Sequence, residues 1–207
     1  MKIKFALSAG LILLTGVGLA FAGKATKPAA DRPAAVEQQE MKVKELKDIL
    51  FKLVRQDEYL DEAIESLDST EGPIGQQDIS ALGFSLKSIT KNLSLVSALN
   101  KTEFSAMQPG SNLSKYTNAI LSYSRKVNRK AVKVNGLVVR LVASKKKAGM
   151  RDAVSSGKTG KKAPGKKLTQ LLKEKTAVDK LAAEARNLRA ASRGLSATSN
   201  WLYIASR

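Results

Sequence analysis

Apolar residues recur along this chain in alternating steps of three and four, the pattern of helices that bury one stripe. The first run is Val36, Met41, Val43, Leu46, Leu50, Leu53, Leu60, Ile64 and Leu67, interrupted by Asp57. Glu71-Gly72-Pro73 closes it, with Gly at the cap and Pro just beyond. The second run is Ile79, Leu82, Leu86, Ile89, Leu93 and Val96, widened by Phe84, Leu95 and Leu99, with Asp78 or Ser80 as candidate N-caps. Pro109-Gly110-Ser111-Asn112 marks the following turn. The third run is Leu113, Tyr116, Ile120, Tyr123, Val127, Val134, Leu137 and Leu141, with Lys130 at the one seam position that breaks it. The fourth is Leu168, Leu171, Val178, Leu181, Ala185, Leu188, Leu195 and Leu202.

These runs predict helices over about 36–71, 77–106, 112–146 and 165–206. One amphipathic helix cannot bury its stripe alone, and short connections make consecutive helices antiparallel neighbours. The expected fold is all-α: an antiparallel up-down four-helix bundle with coiled-coil-like seams, spanning 36–206. Two long hairpins that oligomerise through the same seams are the competing arrangement, because heptads do not separate pairing within a chain from pairing between chains. The connection at 146–167 (KKAGMRDAVSSGKTGKKAPGKK) holds eight Lys+Arg, one acid and four Gly, and predicts a mobile basic loop, with Met150 to Val154 as candidates to extend the third helix a little further.

Residues 1–22 have the build of a secretory signal peptide. Lys2 and Lys4 form a positive start, Phe5 to Leu19 is free of charge, and Ala20-Phe21-Ala22 places small residues before Gly23. Cleavage before Gly23 and a periplasmic or extracellular location are expected. The alternative is an anchor left uncleaved, since the apolar stretch reaches the lower limit for a membrane span. Residues 23–35, with Pro28 and Pro33, predict a disordered lead.

Composition narrows the chemistry. The 207 residues include 36 Lys+Arg, 18 Asp+Glu, no His and no Cys, for a formal net charge of +18. Without His or Cys there is no thiolate zinc site, disulfide framework, histidine base or Ser-His-Asp triad. No nucleophile–base pair can be named, so the expectation is a protein that binds rather than catalyses, with no cofactor. Gly157-Lys158-Thr159 imitates the tail of a phosphate-binding loop, but Asp152 stands where its first Gly must be. No nucleotide partner is expected. The carboxylates Asp57, Glu58, Asp61 and Glu62 read as a charged helix face rather than a metal site. Phe104, Tyr116, Tyr123, Trp201 and Tyr203 gather towards one pole of the expected bundle as a core plug.

The charge is unevenly placed. Residues 24–71 hold 8 basic and 12 acidic residues, whereas residues 113–145 hold 8 basic and none acidic. One consequence is internal compensation between Asp57, Glu58, Asp61, Glu62, Glu65, Asp68 and Glu71 of the first helix and Arg129, Lys130, Lys133, Arg140 and Lys145 of the third. The other is an anion-binding surface of Arg125, Lys126, Arg129, Lys130 and Lys133, joined by loop residues Lys146, Lys147, Lys161, Lys162, Lys166 and Lys167. Its expected partner is an anionic polymer, an anionic lipid surface or an acidic protein of the cell envelope, with homo-oligomerisation open. A periplasmic chaperone or assembly factor and an oligomerising structural coiled coil are the rival functions.

Overall fold

A computed structural model of the chain describes residues 34–68, 74–99, 111–157 and 165–207. These residues form four helices and no strand: α1 (Ala34–Asp68), α2 (Gln76–Ser97), α3 (Ser111–Gly157) and α4 (Gly165–Ala205). The signal peptide expected over 1–22 lies outside the described residues, as do the turns at 72–73 and 109–110 and nearly all of the expected lead. None of the described helices is long and apolar enough to cross a membrane.

Two boundaries differ from the pattern. The described part of α2 closes at Ser97, short of 106, where the Ala98 N–H bonds the Ser94 carbonyl at 3.0 Å. Val96 is the last buried residue of its seam, and Thr198 of α4 donates to the Ser97 carbonyl at 3.1 Å, so an open helix end finds a partner. In contrast, α3 runs through Gly157, so the first half of the expected basic loop is helix, and residues 158–164 lie outside the described residues. Lys, Ala, Met and Arg are strong helix formers, and no Pro occurs until Pro164, so residues 146–157 extend the helix despite having no stripe to bury. The start of α2 also corrects the capping expectation. Gly75 occupies the N-cap without a side-chain bond, and Asp78 sits in the first turn, where its charge favours the helix dipole.

The core explains why Asp57 and Lys130 interrupt their seams. On α1 the buried line is Leu46, Ile49, Leu53, Gln56, Leu60, Ala63 and Leu67. Leu50, Asp57 and Ile64 form a second, half-buried line at heptad spacing beside it. On α3 the buried line is Leu113, Thr117, Ile120, Ser124, Val127, Ala131, Val134 and Val138, and Tyr116, Tyr123, Lys130 and Leu137 form the matching half-buried flank. Lys130 meets Asp57 across these flanks.

Contacts fix the order of packing. α3 packs on α1 and on α4, α4 packs on α2, and α1 touches α2 more sparsely. Lys47 lies over the Tyr116 ring, Lys130 reaches Asp57 and Lys133 reaches Asp68, so the numbers rise together and α1 runs parallel to α3. Asn128 bonds Ser192 and Thr117 bonds Ser206, so α3 and α4 run in opposite directions. The expectation that consecutive helices are neighbours holds for α1 with α2 and for α3 with α4. It fails for α2 and α3, because the two heptad flanks bring α1 and α3 together instead. The leucine stripes that could have joined separate chains are covered within one: Leu53, Leu60, Leu86, Leu93, Leu181 and Leu188 are fully buried.

Polar groups punctuate this core in pairs. Asn92 donates to Gln56 at 3.4 Å, and Ser192 donates to Asn128 at 3.0 Å. Near the end of the α3–α4 pair, the buried hydroxyls of Thr117 and Ser206 lie 2.6 Å apart. Thr117→Val keeps the shape and removes that bond, so it should lower stability by about 1 kcal/mol in a urea melt. Of the five aromatics expected as a plug, Tyr116, Tyr123 and Trp201 pack partly buried on the core, Tyr203 is half-buried with Arg207 over its ring, and Phe104 lies outside the described residues.

Candidate functional site

The basic residues of α3 divide between those that other parts of the chain engage and those left exposed. Lys130 and Lys133 pair with carboxylates of α1, and Lys145 bonds the segment before α2. The Lys130 ammonium sits 2.7 Å from Asp57 and 2.6 Å from Asp61, and donates to the Asp57 carbonyl at 3.1 Å. Lys133 reaches Asp68 at 2.9 Å, and Lys145 donates to the Ile74 carbonyl just before α2. Arg125, Lys126, Arg129, Arg140, Lys146 and Lys147 are exposed. Within this set Lys126 lies over the Tyr123 ring at 4.7 Å, a contact that leaves its charge at the surface.

This division corrects the expected anion surface. Lys130 and Lys133 belong to the internal compensation, because carboxylates of α1 reach both, although Lys133 is itself exposed and stands at heptad spacing from Lys126 and Arg140. Arg125, Lys126 and Arg129 fall on the side away from the buried Val127, Ala131 and Val134, and stay available. Arg140 lies outside the predicted surface, yet it continues the same exposed face about three turns past Arg129. Lys146 and Lys147 ride on helix rather than on a loop. Lys166 and Lys167 fall in the first turn of α4, and Lys161 and Lys162 lie outside the described residues.

The Lys130 pair differs in strength from the Lys133 pair. Both side chains of the latter are about half exposed, so it contributes at most about 1 kcal/mol. Lys130 and Asp57 are 22% and 15% exposed, so neither charge can fall back fully on water if its partner is lost. Burial acts to lower the Lys130 pKa, but hydrogen bonds to and charges of Asp57 and Asp61 outweigh it, holding the ammonium above its ordinary 10.5. A pKa raised on folding favours the folded state while the unfolded amine is still protonated, and that contribution fades as pH climbs through the folded value. Stability should therefore fall above about pH 10.5 more steeply in the wild type than in Lys130→Met, measured by chemical melts across the alkaline range.

A second basic feature lies between α3 and α4. A groove of about 290 Å³ is lined by Arg186, Arg189, Ala190 and Arg193 of α4 and by Asn135, Val139 and the buried Val138 of α3. The Nε of Arg189 is buried with no hydrogen-bond partner. Leaving such a donor unsatisfied typically costs about 1–3 kcal/mol. Sequence reasoning missed these arginines because the fourth run is legible chiefly through its leucines. Their i, i+3, i+7 spacing, which puts all three on one face, is the available signal. Among the described residues, no cluster of three or more carboxylates is gathered as a cation would require. Compared with known proteins, the chain matches no protein family, no curated protein and no solved structure.

Proposed function

We propose that this is an exported, non-enzymatic binding protein whose basic third helix engages an anionic polymer or surface of the cell envelope. One observation carries the reading: Arg125, Lys126, Arg129, Arg140, Lys146 and Lys147 are exposed along one helix that has no acid between residues 113 and 151. Asp57, Asp61 and Asp68 of α1 pair with Lys130 and Lys133 rather than with these six residues. Residues 125 to 147 cover roughly 33 Å of helix, long enough for several phosphates or sulfates of an extended chain. A broad band of cations on a rigid helix tolerates irregular anion spacing, since each contact is electrostatic and long side chains adjust.

The test is retention of the mature chain on a heparin resin and its affinity for polyphosphate as salt is raised. Affinity should drop steeply with salt and should weaken in Arg125→Gln/Arg129→Gln. Absence of retention, or retention unmoved by salt, would remove the proposal.

A further inference from the structure

We infer that the groove between α3 and α4 is a discrete site for one phosphate monoester group carried on a partly apolar body. Arg186, Arg189 and Arg193 rise along one wall over roughly 10 Å of helix. Guanidiniums grip phosphate oxygens through two parallel N–H bonds, and three of them lining one groove favour a dianion over a single carboxylate. None of the three makes an ion pair among the described residues. The acids nearest in sequence, Asp179 and Glu184, do not line the groove.

Two details separate this groove from the outer face of α3. It is a groove between two helices rather than a band along one, with Val139 and Ala190 offering apolar surface beside the charges and Asn135 offering an amide. That combination suits the end group of a small molecule or a lipid rather than the length of a polymer. The second detail is the buried, unpartnered Nε of Arg189. An anion that draws the guanidinium edge towards itself supplies the acceptor that the protein lacks. Such an ester has two possible sources, a soluble phosphorylated molecule or the headgroup of a lipid.

Calorimetric titration with hexyl phosphate tests the site, with inorganic phosphate and hexyltrimethylammonium as comparisons. The expected result is one hexyl phosphate per chain, bound more tightly than inorganic phosphate, with no binding of the cation. Affinity should fall at least tenfold in Arg189→Gln and in Arg186→Gln/Arg193→Gln, and less in Arg189→Lys, which keeps the charge but loses the fork. It should stay within twofold in Arg125→Gln/Arg129→Gln, so failure of the outer-face proposal would leave this one standing. Thermal melts by circular dichroism confirm folding of each variant; should Arg189→Gln not fold, the Arg186/Arg193 pair carries the test. Flotation with phosphatidic acid vesicles that is lost in Arg189→Gln assigns the lipid source, and hexyl phosphate binding without flotation assigns the soluble one. Non-saturable binding, wild-type affinity in the groove variants, or equal loss in Arg125→Gln/Arg129→Gln would overturn the site.

Discussion

Lys130→Met should destabilise the protein by about 3 kcal/mol, a large share of what holds a domain of this size together. The substitution conserves apolar bulk on the α3 flank, so the loss does not come from a cavity. It comes from Asp57, which keeps a half-buried carboxylate after its ammonium has gone. Asp61 is 63% exposed and can return to water, so it adds little. Adding Asp57→Leu to Lys130→Met should restore most of the stability. An apolar side chain at each of the two positions would complete the line of Leu50 and Ile64 on α1 against that of Tyr123 and Leu137 on α3. The rescued protein loses something else. A lone charged layer between two heptad lines penalises every slipped register, and without it α1 and α3 are less firmly held at one offset. Equilibrium urea melts of both variants measure the first effect. A single Lys130→Met that melts like wild type would show that Asp57 is solvated in its absence.

Binding of a polyanion should weaken by about a hundredfold to a thousandfold between 50 and 200 mM salt, the range for roughly five neutralised phosphates. Five is the number expected if most of the exposed residues Arg125, Lys126, Arg129, Arg140, Lys146 and Lys147 each meet one anion. Counterion release supplies the affinity, so the slope counts contacts directly. Arg125→Gln/Arg129→Gln should lower the magnitude of that slope by about two, one for each cation removed. A slope near zero would mean the polymer is held by something other than these charges.

Much of the fold could be read from spacing alone. Four helices follow from the runs of three and four, since each needs a partner for its stripe and Gly-Pro or Pro-Gly pairs separate the first three. The neighbour order could not be read, because Leu50, Asp57 and Ile64 and the flank Tyr116, Tyr123, Lys130 and Leu137 look like ordinary seam positions in one dimension. Asp57 and Lys130 are opposite charges in two seams that are otherwise apolar, and that is the hint that α1 lies beside α3. The end of α3 was hidden for a different reason. Glycines and lysines at 146–157 suggest a loop when burial is the criterion, whereas backbone propensity keeps them helical. At the candidate site, net charge foretold a basic surface but not which cations face carboxylates. A change of one position along the helix turns Arg129 outward and Lys130 onto Asp57.

That division is most directly tested by removing two exposed cations of α3, or two that other parts of the chain engage, and measuring polyphosphate affinity at about 100 mM salt. Arg125→Gln/Arg129→Gln and Lys133→Gln/Lys145→Gln carry the same net charge, so long-range attraction is equal in the two. The Arg125/Arg129 variant should lose affinity more than tenfold, and the Lys133/Lys145 variant should stay within about threefold of the wild type. Equal losses in the two variants would contradict the assignment, since only total charge would then matter and not whether a cation is already engaged within the chain.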